Sequence, residues 1–513
     1  MRLHFLFLLL AWGSLKAQSG DAPVRVNTTA RTSTATIHFS LAHSKATSCE
    51  LDIPEFQLMR DFLKKGMTVM LDSLGSGNYT FVLDKPRFVR LYYAESDTSS
   101  HSHVYTFFLS PGDNLNFQAD LGRNDDIHVS GKGASDNQPL VGAIDPYPET
   151  YIYTGDTLPD RAIRYVRRLA HRNDSLFALY LQRYHPTPTV AKAWKDNLDY
   201  SAAKDFYSFK ENNKFGIQDA YKRHFDTWQR AQDSLFKGLS LDDGGAIVAP
   251  SYQALLGEYL LRTKEALWKE ANEHPAAFYR EWYDTTEAVG RKMFQADVQT
   301  LLQEKIINHY FKSPKVVEYL YAVLLEDALS NSNPADLNDI YNRFKERFPH
   351  SRYVSLFAPY VEDMVERSRQ GLTDKMVFVT DTLRTLEDLL ALVKGKTALV
   401  DMWGTWCSPC REELEKNADS LHAYFNGKGV QFVYIANHDL EHRDQWKKLI
   451  AYFRLEGMNI LASDELTKDI MKKIKGTGYP TNLVIHKDGT YELARGGYPL
   501  QRELLEKQLN EAL

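Results

Sequence analysis

The rhythm of hydrophobic and polar positions changes twice along this chain and divides it into three expected domains. From about Gln18 to Gly142, β-branched and aromatic residues partly alternate with polar ones, in Ala35–Leu41, Tyr79–Leu83, Phe88–Tyr93 and Val104–Leu109. Turn punctuation such as Gly75-Ser76-Gly77-Asn78 and Ser110-Pro111-Gly112-Asp113 separates them. This pattern predicts an antiparallel β-sandwich over residues 18–145. A Pro-bearing stretch, Ala143 to Glu149, reads as a linker. The period then becomes helical. Apolar residues recur at threes and fours in Val166, Leu169, Ala170, Phe177 and Tyr180, and again in Val316, Val317, Leu320, Tyr321 and Leu324. Breakers at Pro250, Pro275, Pro314, Pro334 and Pro349 cut the span into helices of ordinary length, so residues 158–371 are expected to be all-helical. Its many Tyr and Phe side chains read as core rather than as a cofactor box.

From Thr373 to Leu513 the two signals alternate. Strands are expected at Met376–Thr380, Thr397–Trp403, Val430–Ala436, Asn459–Ala462, Asn482–His486 and Thr490–Ala494. Helices are expected at Thr385–Val393, Ser408–Phe425, Glu441–Leu455, Leu466–Ile474 and Leu500–Leu509. Strand, helix, strand in repetition predicts an α/β domain over 373–513, with a parallel-containing sheet covered on both faces. Sites in open α/β sheets lie at the carboxyl ends of strands, and one strand ends there in Trp403-Gly404-Thr405-Trp406-Cys407-Ser408-Pro409-Cys410.

Two thiols three positions apart at a helix start have the spacing of a reversible dithiol pair. The first, Cys407, lies beside unpaired backbone N–H groups and the positive end of the helix dipole, which favours its thiolate. Cys407 is therefore the expected nucleophile and Cys410 the resolving thiol. Lowering a thiol pKa from about 8.5 to 7 raises the thiolate fraction at pH 7 about sixteenfold, and the accompanying loss of nucleophilicity takes back about sixfold. The larger gains are a better leaving group and intramolecular attack by Cys410.

Composition bounds the rest. With 513 residues the chain is too long for one core, and 43% hydrophobic and 25% charged residues are ordinary for globular protein. A net charge of -5 gives no electrostatic reason to expect nucleic acid as a partner. Arg2, the apolar run Leu3–Trp12 and Leu15-Lys16-Ala17 read as an export signal over residues 1–17, which places the mature chain in the periplasm without stable membrane insertion. The third cysteine, Cys49, is left without an internal partner and reads as a buried thiol.

Val400-Asp401-Met402-Trp403-Gly404-Thr405-Trp406-Cys407-Ser408-Pro409-Cys410, with Gly478-Tyr479-Pro480-Thr481 downstream, resembles the thioredoxin fold. The extra helix and strand between Glu441 and Ala462 make the last 140 or so residues similar to the TlpA/ResA-type thiol:disulfide oxidoreductases. The preceding regions resemble, through weaker motifs, the multi-domain members of that group from Bacteroidetes-like bacteria. The resemblance implies Cys407 as attacking thiol, Cys410 as resolving thiol, Asp401 as a buried carboxylate behind the pair and Pro480 as a cis-proline facing the disulfide. Trp406, Tyr479 and Thr481 would border the substrate. A buried Asp has its pKa raised, so Asp401 could accept and return the Cys410 proton near neutral pH. Tyr479 departs from the small aliphatic residue usual before this proline, which bears on substrate choice and redox potential. No cofactor beyond the two thiols is implied. Implied partners are disulfide-bonded proteins, for instance in cytochrome c maturation, and a membrane thiol electron donor.

Two other uses of these residues stay open at this stage. His438 and His442 follow the strand Val430–Ala436 and, with the two cysteines, formally offer four zinc ligands, although the Cys and His pairs are far apart for a finger. A reading from another class makes the first two domains a binding module for an envelope partner, with the thiol pair sensing redox poise. Dithiols of this kind also serve as disulfide oxidases and isomerases, and the motif does not set the direction of electron flow.

Overall fold

The computed structural model describes residues 33–53, 67–99, 103–122, 126–142, 144, 158–213, 218–297, 299–380, 383–497 and 499–513. The expected export signal and nearly all of the expected linker lie outside them.

The first eight strands are β1 (Ser33–Ala42), β2 (Ser48–Asp52), β3 (Met67–Met70), β4 (Ser76–Leu83), β5 (Arg87–Tyr93), β6 (His103–Leu109), β7 (Asn114–Asp120) and β8 (Asp126–Lys132). They form two four-stranded sheets, ordered β4-β1-β7-β8 and β3-β2-β5-β6. The sheets share one core, in which Ile37, Phe39, Leu115 and Phe117 of the first meet Leu91 and Phe107 of the second. One strand pair departs from the antiparallel expectation: β1 and β7 run parallel. The chain leaves the second sheet through a turn that sits beside the start of β1. There the Gly112 N–H donates to the Thr34 carbonyl (2.9 Å) and the Thr36 N–H to the Asp113 carbonyl (3.0 Å), so β7 sets off in the direction of β1. Cys49 lies in this core as a free thiol, and burial pushes its pKa up to about 12.

Strands β5 and β6 are buried on both faces. Their outer side presents Phe88 and Phe108 to the helices Asp160–Tyr184 and Pro188–Asn213, where the Phe88 ring meets Trp194 edge-on at 5.0 Å between centroids. The helical region continues to Ser368. Pro250, Pro275 and Pro314 each begin a helix, where a missing N–H costs nothing. The aromatic side chains Trp194, Trp228, Tyr252, Phe206 and Phe278 are fully buried in this region, as core.

The last domain holds β9 (Met376–Phe378), β10 (Thr397–Trp403), β11 (Val430–Ala436), β12 (Gly457–Leu461), β13 (Thr481–Ile485) and β14 (Tyr491–Leu493) in the order β14-β13-β10-β11-β12-β9. The four strands β9 to β12 are mutually parallel, whereas β13 and β14 close the other edge antiparallel. Period-two alternation sends Ala398, Val400 and Met402 of β10 to one face, under the helices Leu386–Leu392 and Asp464–Lys473. Leu399 and Trp403 point to the opposite face, under Ser408–Phe425 and Arg443–Tyr452. That second core runs without interruption into the helical region through Tyr353, Phe357, Val361 and Met364 of the helix Arg352–Ser368. The thiol pair therefore lies on the side of the sheet that is docked.

Candidate active site

Strand β10 ends at Trp403 and the helix Ser408–Phe425 begins five residues later, with Cys407 as its N-cap and Pro409 in its first turn. Cys407 and Cys410 are joined in a disulfide, their Cα atoms 5.3 Å apart, and the Cys410 N–H points at the Cys407 Sγ at 3.3 Å. Cys407 is 4% exposed and Cys410 1%, so what little access exists is to the first sulfur.

The loop before Cys407 is held from the end of β11. Asn437 is completely buried and donates through Nδ2 to the carbonyls of Trp403 (3.0 Å) and Ile435 (2.8 Å), while its Oδ1 accepts from the Thr467 hydroxyl (2.9 Å). The Asn437 carbonyl takes the indole N–H of Trp406 at 2.9 Å. Gly404 permits that approach, because a Cβ there would lie 2.5 Å from the Trp406 Nε1. Two residues after Asn437, the buried Asp439 carboxylate accepts from the Thr405 N–H (2.7 Å) and hydroxyl (2.6 Å). Burial holds its pKa above the ordinary carboxylate range, with the Thr405 bonds acting in the opposite sense.

Asp401 occupies the same face of β10 as Leu399 and Trp403, opposite Tyr434 on β11 and Asn482 on β13. Its Oδ1 is sealed from solvent with no hydrogen-bond partner. Burial pushes its pKa up to about 8, and the charge of Glu413 adds to the rise. Glu413 lies three residues after Cys410, one turn along the same face of the helix. Its Oε1 accepts from the Leu500 N–H at 2.7 Å and its Oε2 is buried without a partner, so that burial raises it to about 7. Asp401 and Glu413 are thus two carboxyl groups whose pKa values burial raises towards neutrality, close enough for the charge of Glu413 to act on Asp401.

The Tyr479–Pro480 peptide bond is cis. The next residue, Thr481, pairs with Met402, so the proline meets the carboxyl end of β10, and the Thr481 hydroxyl donates back to the Gly478 carbonyl at 2.6 Å. Half-exposed Trp406 stands edge-on to Tyr479 at 5.6 Å, and His438 lies 6.2 Å from the Trp406 ring and 6.3 Å from the Tyr479 ring. Trp406, Tyr479 and His438 form an aromatic rim next to Cys407. His438 Nδ1 is 3.3 Å from Asp464 and His442 Nδ1 is 3.8 Å from Asp439. Among the described residues no three His, Cys, Asp or Glu side chains stand together as a metal-holding group.

Asn437, Asp439, Glu413 and Arg411 escape the sequence reading. The first two follow β11, whose end was expected beside the site, where attention falls naturally on the two histidines. Helical spacing from Cys410 separates Glu413 from its neighbour Glu412. Nothing in the sequence alone marks Arg411, whose environment is made by the helical region.

This arrangement, a dithiol at a helix start beside a central parallel strand and opposite a cis-proline loop, defines a thioredoxin-like domain, and residues 395–491 match the family model described as thioredoxin-like. Among curated proteins the chain is similar to the thiol-disulfide oxidoreductase ResA of Bacillus cereus, with 30% identity over 112 residues, 22% of this chain and 61% of that protein. It is 27% identical over 112 residues to ResA of Bacillus anthracis, again 22% of this chain and 61% of that protein. The chain therefore spans less than two thirds of the length of these relatives. Among solved structures it is similar to the thioredoxin domain of a thiol-disulfide oxidoreductase from Bacteroides vulgatus (23% identity, 25% of this chain, 84% of that chain, TM-score 0.21). A thiol:disulfide interchange protein from a Bacteroides species is also similar (24% identity, 24% of this chain, 78% of that chain, TM-score 0.21).

Proposed function

We propose that the chain is an exported thiol:disulfide oxidoreductase that reduces disulfides in polypeptide substrates. The observation that carries this reading is the Cys407–Cys410 disulfide at a helix N-terminus, just past the end of β10, the strand that bears Asp401, whose partly buried carboxyl has its pKa pushed up to about 8 by desolvation. In the reduced protein the Cys407 thiolate attacks a substrate disulfide. The substrate S–S bond breaks, one substrate sulfur leaves as a thiolate that takes up a proton, and a mixed disulfide forms at Cys407. Cys410 then passes its proton to ionised Asp401 and attacks the Cys407 sulfur. The second substrate sulfur leaves as a thiolate, and Cys407 and Cys410 are left as the disulfide. Two electrons have moved to the substrate, and an external dithiol donor, in this reading a membrane thiol carrier, must return them.

Trp406, Tyr479 and Thr481 border the place where an extended substrate would lie, with Pro480 at its centre. The export half of the proposal rests on residues 1–17. No helix among the described residues is long and apolar enough to cross a membrane. The test is the equilibrium potential of the Cys407/Cys410 couple in thiol buffers, together with turnover of a disulfide-bonded protein. A potential at or below about -270 mV with turnover supports reduction, whereas one near -120 mV overturns it in favour of disulfide formation.

A further inference from the structure

A cleft runs between the helical region and the thioredoxin-like domain, in two chambers of about 390 Å³ and 890 Å³. The smaller has Thr405 and Trp406 on one wall and Trp268, Phe294 and Asp297 on the other, so it opens directly beside the thiol pair. Arg411, the residue after Cys410, lines both chambers.

Arg411 is 4% exposed, yet among the described residues its guanidinium has neither an ion-pair nor a hydrogen-bond partner, and its Nε is fully enclosed. A buried cation with five unused donors is costly and needs a compensating anion. The carboxylates whose charge reaches it, Asp327, Asp297 and Asp439, are engaged elsewhere, Asp439 with the Thr405 N–H and hydroxyl. Asp297 accepts from the N–H groups of Gln299 (3.0 Å), Thr300 (2.9 Å) and Leu301 (3.0 Å), capping the helix Thr300–Tyr310. Asp327 takes the side-chain amides of Gln303 (2.7 Å) and Asn331 (2.8 Å). Further cations, Lys292, Arg443 and Lys448, stand exposed at the mouth of the larger chamber, with Glu441 and Asp444 as the opposing charges there.

We propose that this cleft is a docking groove for an acidic segment of the disulfide-bonded polypeptide substrate, in which Arg411 pairs with a substrate carboxylate. The planar fork of the guanidinium matches a carboxylate with two parallel hydrogen bonds, and the rim cations steer the segment inward. The choice of a disulfide-bonded partner rests on the function proposed above. The groove extends that reading: the helical region becomes half of the substrate site, and selectivity comes from a charge one residue away from the resolving thiol.

The test pairs binding with turnover on the full chain. Calorimetry with the oxidised protein compares a cysteine-free glutamate-containing octapeptide with its Glu→Gln counterpart. Turnover by the reduced protein compares the same two sequences carrying a disulfide. The acidic peptide is expected to bind at least about tenfold more tightly than the neutral one, and Arg411→Gln to bring the ratio to about one. The Lys292→Gln/Lys448→Gln double variant, altered only at exposed positions, is expected to weaken acidic-peptide binding about two- to fivefold and to flatten its salt dependence. Equal binding of the two peptides by the wild-type chain, or a ratio that survives Arg411→Gln, overturns the groove. Should Arg411→Gln not fold, the wild-type peptide comparison and the rim variant decide. Acidic-peptide binding without turnover of either disulfide would refute the reductase and keep the groove, and unselective turnover would do the reverse.

Discussion

Replacing Asp401 by Asn should stabilise the oxidised protein at neutral pH and abolish part of its pH dependence. The native pKa of about 8 exceeds the value of about 3.9 for an unfolded Asp. Between those values the folded state binds more protons than the unfolded one, so stability falls as pH rises from about 4 to about 8 and levels off above. Integrated, the burden is about 1.5 kcal/mol at pH 5, about 4 kcal/mol at pH 7 and about 5 kcal/mol at pH 8. The asparagine amide carries no charge but adds an NH2 group with two donors at a site where Oδ1 already lacks a partner, which costs about 1–3 kcal/mol. The variant should thus gain roughly 1–3 kcal/mol at pH 7, gain little or lose slightly at pH 5, and cross the wild type between them. Because the chain has several domains, the readout should be local: urea-dependent hydrogen exchange of β10 and β11 amides at pH 5, 6, 7 and 8. A wild-type minus variant difference that stays constant within about 0.5 kcal/mol across that range would show that Asp401 ionises as it does in water, and the proton-acceptor argument would fall with it.

Cys410→Ser should accumulate a mixed disulfide between Cys407 and the substrate, visible as a mass adduct removed by dithiothreitol, while Cys407→Ser should form none; adduct on Cys407→Ser alone would exchange the two roles. Glu413→Gln should lower the Asp401 pKa, because it removes the negative charge that adds to burial while an amide oxygen can still accept from Leu500. The carboxyl titration followed by NMR or infrared would then move to lower pH, and an unmoved titration would dissolve the coupled pair. Thr405→Val should leave the Asp439 carboxylate with one donor fewer and cost about 1–3 kcal/mol, measured by the same exchange experiment. Potentials of the Cys couple should change little in this variant, since it acts on the loop and not on the sulfurs.

The α/β domain was the most legible part of the chain because its strands are near-continuous apolar runs. Thr397–Trp403, Val430–Ala436 and the helix Ser408–Phe425 coincide with their expected bounds to the residue. The sandwich was harder. Strand β7, Asn-Leu-Asn-Phe-Gln-Ala-Asp, alternates with Leu115, Phe117 and Ala119 buried, but its outward Asn and Gln residues are poor strand formers and hide the period. In the helix Asp160–Tyr184 the apolar Leu181 lies on the exposed side, and Asn173 takes a buried position that its polarity disguises. At the site, spacing along the chain pointed to the two thiols, and the resemblance to the thioredoxin fold pointed to Asp401 and Pro480. Glu413 and Arg411 acquire their character only from what packs on their helix, and no local pattern records that.

The docking of the active-site helix explains why those two residues matter. Ser408, at the first turn, hydrogen-bonds to Asn331, and Glu415 takes bonds from Ser332, from Arg367 (3.2 Å) and from Tyr452 (3.3 Å). The bonds to Asn331, Ser332 and Arg367 span the boundary between the helical region and the thioredoxin-like domain, on the side where Cys407, Cys410 and Leu414 are buried in a shared core. A helix fixed at its N-terminal turns by a neighbouring domain has little freedom to shift when the disulfide opens and closes. The thiol pair is therefore held against a preformed wall, and if the cleft takes an acidic segment as proposed above, polypeptide selection would be a property of the domain junction rather than of the thioredoxin-like fold alone.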